Sequence, residues 1–176
     1  MIIAIIIGLI SIFLGMIMEP LKSAFHLYHS TAPDLTNEGR MHLIGNSFNK
    51  ATLWHFGNYF YPLLTPLVSV IPFSIVYLTD KRTGFNRFLI IRSNYKEYIR
   101  SRIITTFVSG FLTVFITYTI SFVLITLLDS GNEFRSIFYD NTFLSNINRE
   151  NFNLFVLLYT LIASFMGGVY AIIGLT

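Results

Sequence analysis

The chain has no cysteine, so disulfides, thiol catalysis and thiolate metal sites are all excluded. Charge is scarce: Asp, Glu, Lys and Arg together make up 12% of the 176 residues, against 53% hydrophobic. Tryptophan occurs once and proline five times, and there is no Asn-x-Ser/Thr glycosylation acceptor. No G-x-x-x-x-G-K-[ST] phosphate loop, no H-E-x-x-H and no G-x-S-x-G is present. The chain therefore carries no familiar nucleotide, zinc-hydrolase or serine-hydrolase signature, and no enzymatic role or cofactor is expected.

What is present is apolar and aromatic, with mean hydropathy +0.62, 18 Phe and 10 Tyr. Long windows without charge mark an all-α integral membrane protein rather than a soluble domain. Spans are expected at about 1–18, 59–78, 103–128 and 152–176. The first, Met1 to Met18, reaches about 27 Å as a helix at 1.5 Å per residue and then meets Glu19-Pro20. It lacks the basic flank and small-x-small cleavage site of a signal peptide. None of the four spans holds Asp, Glu, Lys, Arg or His in its core, so an ion relay of the kind that drives coupled carriers is disfavoured.

The basic residues are concentrated. Lys81, Arg82, Arg87, Arg92, Lys96, Arg100 and Arg102 fall between the second and third spans, opposed only by Asp80 and Glu97. Lys and Arg bias a connection toward the cytoplasm, which places 79–102 inside and the loops 19–58 and 129–151 outside. Such a block suits anionic lipid headgroups or an acidic partner surface better than nucleic acid. Asn94 followed by Glu97 is a capping-box pattern, so a helix is predicted from Tyr95 through the third span to about Leu128. Between Gly84 and Ile91, Phe85, Phe88 and Leu89 can share one helical side, with Arg87 and Arg92 elsewhere. That piece is too apolar for a solvated linker and too short and charged to span.

Other patterns are weighed against simpler explanations. Pro62, Pro66 and Pro72 each remove a backbone donor from the second span and imply a bent helix packed on protein. Trp54, Phe56, Tyr59, Phe60 and Tyr61 precede that span and read as an interfacial aromatic belt, with a stacking platform as the alternative. In the third span Thr105, Ser109, Thr113, Thr117 and Ser121 form a hydroxyl stripe. Steps of four drift about 40° each, so it winds around the helix. Helix packing accounts for it more simply than a substrate path through Ser109, Thr113 and Thr117. In the fourth span Ala163-x-x-x-Gly167 and Ser164-x-x-x-Gly168 are small-residue packing motifs. His26 and His29 lie three apart near Asp34 and Glu38, but lack a third firm ligand, and no metal is expected.

The run from Pro62 to Phe111 resembles membrane permeases of the type-2 ABC exporter superfamily. The likeness lies in a proline-bearing span ending in Asp80-Lys81-Arg82-Thr83-Gly84, a short helix, then Arg92-Ser93 to Tyr98 before re-entry. By that resemblance Gly84, Phe85, Arg87, Phe88, Leu89 and Arg92 belong to a cytoplasmic coupling helix that sits on an ATPase. The four spans would form part of a six-span domain, in a chain extending beyond both ends of this sequence. The resemblance implies a separate ATP-binding subunit and a second permease chain, as homo- or heterodimer. The cargo would be an exported peptide, drug or lipid-like molecule. The richness in Ile, Asn, Phe and Tyr points to a bacterial source, hence a multi-pass protein of the bacterial cell membrane. The competing class is a non-transporting membrane interaction protein, such as an immunity or sensor subunit.

Overall fold

The structure is a computed structural model that describes residues 1–29, 36–84, 95–128 and 151–174. Within them the chain is all-helical: α1 (Ile2–His29), α2 (Asn37–Ser47), α3 (Lys50–Gly57), α4 (Tyr61–Thr83), α5 (Tyr95–Leu128) and α6 (Phe152–Ile173). Four of them, α1, α4, α5 and α6, are long and apolar enough to cross a membrane. Their most apolar windows have mean hydropathy between 1.7 and 2.6, and no more than 33% of any window is buried.

The first helix corrects the sequence reading. Expected to end near Met18, α1 continues through Pro20 to His29. Proline inside a helix forfeits one backbone bond and crowds the preceding turn. Here the Pro20 ring is fully buried, and the Ser23 hydroxyl donates to the Pro20 carbonyl at 2.9 Å. Breaking the helix at Pro20 would unpair several backbone groups, whereas running through it sacrifices one donor. After α1, α2 and α3 are short, as a polar connection predicts. Thr36 accepts from the Gly39 amide at 3.2 Å at the start of α2, and Asn49 accepts from the Ala51 amide at 2.9 Å at the start of α3. These side chains supply acceptors to first-turn amides that have no partner within their helix.

Helix α4 begins at Tyr61, which changes the role of the first of its three prolines. Pro62 falls in the opening turn, where an amide has no intrahelical acceptor, so it removes no bond. Pro66 and Pro72 lie inside the helix, and Ser69 donates to the Pro66 carbonyl at 2.9 Å. The helix extends past the expected Leu78 to Thr83 and ends at Gly84, whose φ of +70° suits a residue without a Cβ. Helix α5 runs the predicted course from Tyr95 to Leu128, 34 residues or about 51 Å.

Two compact units divide the chain. The first comprises Met1–Gly8, Leu63–Tyr118 and Tyr159–Thr176. Its centre is the crossing of α5 and α6. A Cβ on Gly110 would fall 2.8 Å from the Gly167 carbonyl oxygen, and one on Gly167 would fall 2.5 Å from Val114 Cγ2. The helices therefore touch nearly backbone to backbone, which only small residues permit. Tyr118 and Tyr159 meet edge to face at 5.7 Å, and Phe107 meets Phe165 the same way at 5.5 Å.

The second unit comprises Leu9–Pro62 and Thr119–Leu158. Here α3 lies on α1, with the Phe56 carbonyl directly over Gly15 and Met16 and Ile12 against Gly57. Trp54 is buried and meets the Phe122 ring edge to face at 6.3 Å, while the Lys50 ammonium stands 5.2 Å from the same ring.

The distribution of polarity runs opposite to that of a water-soluble helical protein. Ser69, Thr106, Thr113, Thr117 and Ser164 are fully buried, whereas Leu63 and Leu127 are each 77% exposed. Exposed Ile, Leu, Val and Phe side chains cover the long helices in numbers far beyond the scattered few that a soluble surface carries. Small hydroxyl residues inside and aliphatic residues outside suit helices that face lipid and pack through close contacts.

Candidate functional site

The basic connection is bracketed by the end of α4 and the start of α5. Phe73 and Tyr77 are four apart on α4, and Tyr98 and Arg102 are four apart on α5, so each pair shares a helix face. The four side chains converge. The Arg102 guanidinium carbon lies 4.3 Å from the Tyr77 ring centre, 5.4 Å from Phe73 and 5.7 Å from Tyr98, and the guanidinium donates to the Tyr98 hydroxyl at 2.5 Å. A flat, weakly hydrated guanidinium stacks on rings where an ammonium would demand water. The result is a half-buried clamp that fastens the end of one long helix to the beginning of the next. Sequence reasoning passed over it. Its signal was the two i, i+4 pairs on either side of the basic block.

Of the residues assigned to coupling, only Gly84 is described, and a Cβ on it would meet none of the described residues within 4 Å. Phe85, Arg87, Phe88, Leu89 and Arg92 lie outside the described residues.

The hydroxyl stripe turns inward as its drift predicts. Thr105 is exposed and Ser109 half-buried, whereas Thr113, Thr117 and Ser121 are buried. The hydroxyls of Thr105, Ser109, Thr113 and Thr117 donate to carbonyls three or four residues back, at 2.7 to 2.9 Å. They are committed to the backbone of α5, in the bonding pattern of packing residues. On α6, Ser164 donates to the Thr160 carbonyl at 2.6 Å and is buried, while Ala163 is half-buried. Gly167 faces Gly110 and Val114, and a Cβ on Gly168 would fall 2.6 Å from the Phe107 ring. Gly167 and Gly168, one member of each small-residue pair, thus meet α5 of the same chain.

The aromatic belt is corrected in part. Tyr59 and Phe60 are exposed, but Trp54 is 4% and Tyr61 0% exposed. Both rings fill protein interior instead of lining a lipid interface: Trp54 is turned inward on α3, and Tyr61 is buried at the first position of α4. Among the described residues no three His, Asp or Glu side chains gather as a metal site, and His29 Nδ1 sits 3.1 Å from the Phe25 carbonyl.

The fold and its inverted polarity fit a multi-pass membrane protein, all-helical in its described residues, with four helices long enough to span. Comparison of the chain with protein-family models, with curated proteins and with solved structures finds no match.

Proposed function

We propose that the chain is a permease subunit of an ATP-driven exporter of the type-2 ABC kind, in a bacterial cell membrane. It would work with a second permease chain and a separate ATP-binding subunit. The observation that supports this reading best is the Arg102 clamp. It ties α4 to α5 at the two ends of the basic connection. A load applied to that connection is delivered to two long apolar helices together, as a motor-driven gate requires. The absence of a phosphate loop and of an ion relay in the sequence favours an energy source on another chain. Phe85, Phe88 and Leu89 would form the apolar ridge that enters a groove on the ATPase, with Gly84, Arg87 and Arg92 at its margins. The cargo class is an exported peptide, drug or lipid-like molecule.

Phe88→Asp tests it. Membrane insertion should persist while ATPase co-purification and ATP-dependent export are both lost. Wild-type ATPase yield with continued export would remove the coupling assignment. A wild-type chain that binds partners yet supports no ATP-dependent export would instead be a non-transporting interaction subunit.

A further inference from the structure

The end of α3 is recessed beside the first span. A Cβ on Gly57 would fall 2.9 Å from Met16 Cγ and 3.1 Å from Ile12 Cγ2, and both residues belong to the uncharged run of α1 that ends at Met18. Bulk water does not reach that depth, so polar groups there need partners within the protein. Two have none among the described residues: the Ser11 hydroxyl and the Asn58 side-chain carbonyl oxygen are buried without a hydrogen bond. The two residues flank one contact, since Ser11 precedes Ile12 and Asn58 follows Gly57. The Asn58 amide has a fixed orientation. Its Nδ2 donates to the Trp54 carbonyl at 2.8 Å, so exchanging its two ends would set oxygen against oxygen. Ser11, 7% exposed, also differs from Thr113 and Thr117 of α5, whose hydroxyls donate to their own helix.

We infer that Ser11 and Asn58 hold a buried water molecule, which accepts from the Ser11 hydroxyl and donates to Asn58 Oδ1. The chemistry of the pair selects this occupant. Asn58 Oδ1 can only accept, and a serine hydroxyl not bonded to its own backbone has a proton to donate, so the ligand must do both. Water does so at little cost in immobilisation. A dehydrated cation would need more oxygen ligands and, in an apolar span, a compensating carboxylate. Neither 9–18 nor 50–58 holds Asp or Glu. The water fastens the end of α3 to α1 through polar groups that do not bond each other directly. This inference does not depend on the export reading.

Thermal unfolding of the detergent-solubilised full chain tests it through the sign of one substitution. Ser11→Ala removes a partner of the water and should lower the midpoint by about 2–4 °C. A hydroxyl buried with no partner at all destabilises the fold, so a midpoint that rises or stays put overturns the proposal. In an Asn58→Leu background Ser11→Ala should no longer lower the midpoint, and an undiminished fall overturns the pairing. X-ray footprinting needs no Asn58 variant and separates water from a direct bond. Radiolysis of a bound water oxidises the side chains beside it, so Met16, 3% exposed, should be oxidised in the wild type and several-fold less in Ser11→Ala. Met16 untouched in the wild type, or oxidised equally in both, overturns the water. A midpoint that rises when sodium replaces choline, in the wild type but not in Ser11→Ala, would make the occupant a cation and overturn it as well.

Discussion

The guanidinium of Arg102 lies 4.3 Å from the ring centre of Tyr77, so a residue at the start of α5 is stacked on one near the end of α4. With Phe73 and Tyr98 completing the cage, a charge at the edge of an apolar span gains partners without a carboxylate. A partly desolvated stack of this kind contributes about 1–2 kcal/mol. Arg102→Lys keeps the charge but loses the planar face, so it should lower the thermal midpoint in detergent nearly as far as Tyr77→Ala does. If the lysine variant melts with the wild type while Tyr77→Ala does not, the clamp is not a cation–aromatic contact.

The crossing of α5 and α6 gives a second expectation. Gly167→Leu drives a side chain into Val114 and the Gly110 backbone, where overpacking costs about 1–3 kcal/mol or more. Leu157, on the same helix, is 55% exposed, and Leu157→Phe should be close to neutral. Thermal unfolding of both variants measures the difference, and equal losses would deny the crossing any special role.

Trp54 is the chain's only tryptophan, which makes its fluorescence a clean probe. Packed on Phe122 and 4% exposed, it should resist quenching by brominated lipid in reconstituted vesicles. Trp54→Ala should cost about 3–5 kcal/mol, the range for a buried aromatic, whereas Tyr59→Ala at a 66% exposed position should cost little. Strong quenching by bromolipid would return Trp54 to the lipid interface.

The proposed topology can be read by labelling, since the chain has no native cysteine to interfere. Thr83 and Asn37 are both exposed. An impermeant thiol reagent added to intact cells should modify Asn37→Cys and spare Thr83→Cys, as the basic connection is expected inside. The reverse pattern inverts the topology and with it the side on which an ATPase could dock.

Much of the helical framework was legible in the residues. An uncharged run in an apolar medium must satisfy its backbone within itself, so Met1–Met18, the second span, Ile103–Leu128 and the last span could only be helices. The course of α5 from Tyr95 was readable too, because capping and propensity act over a few neighbouring residues. The drift of the hydroxyl stripe follows from helix geometry alone, and burial of Thr113 and Thr117 after exposed Thr105 is that drift made visible.

Contacts between residues distant in sequence decided the rest. Glu19 and Pro20 read locally as a stop, yet α1 continues, because Pro20 is buried and the helix loses less by continuing than by breaking. Trp54 and Tyr59 have the same interfacial chemistry, yet Trp54 is turned into the protein on α3 while Tyr59, in the turn after it, is exposed. Gly110 and Gly167 are fifty-seven residues apart, and no local pattern says which glycine meets which. In the sequence Arg102 is one cation among seven, and only tertiary packing sets it among three rings. Secondary structure here is dictated by short-range bonding in an apolar solvent, which sequence records directly. Side-chain partners depend on which helix faces meet, and that is settled only when the whole chain is packed.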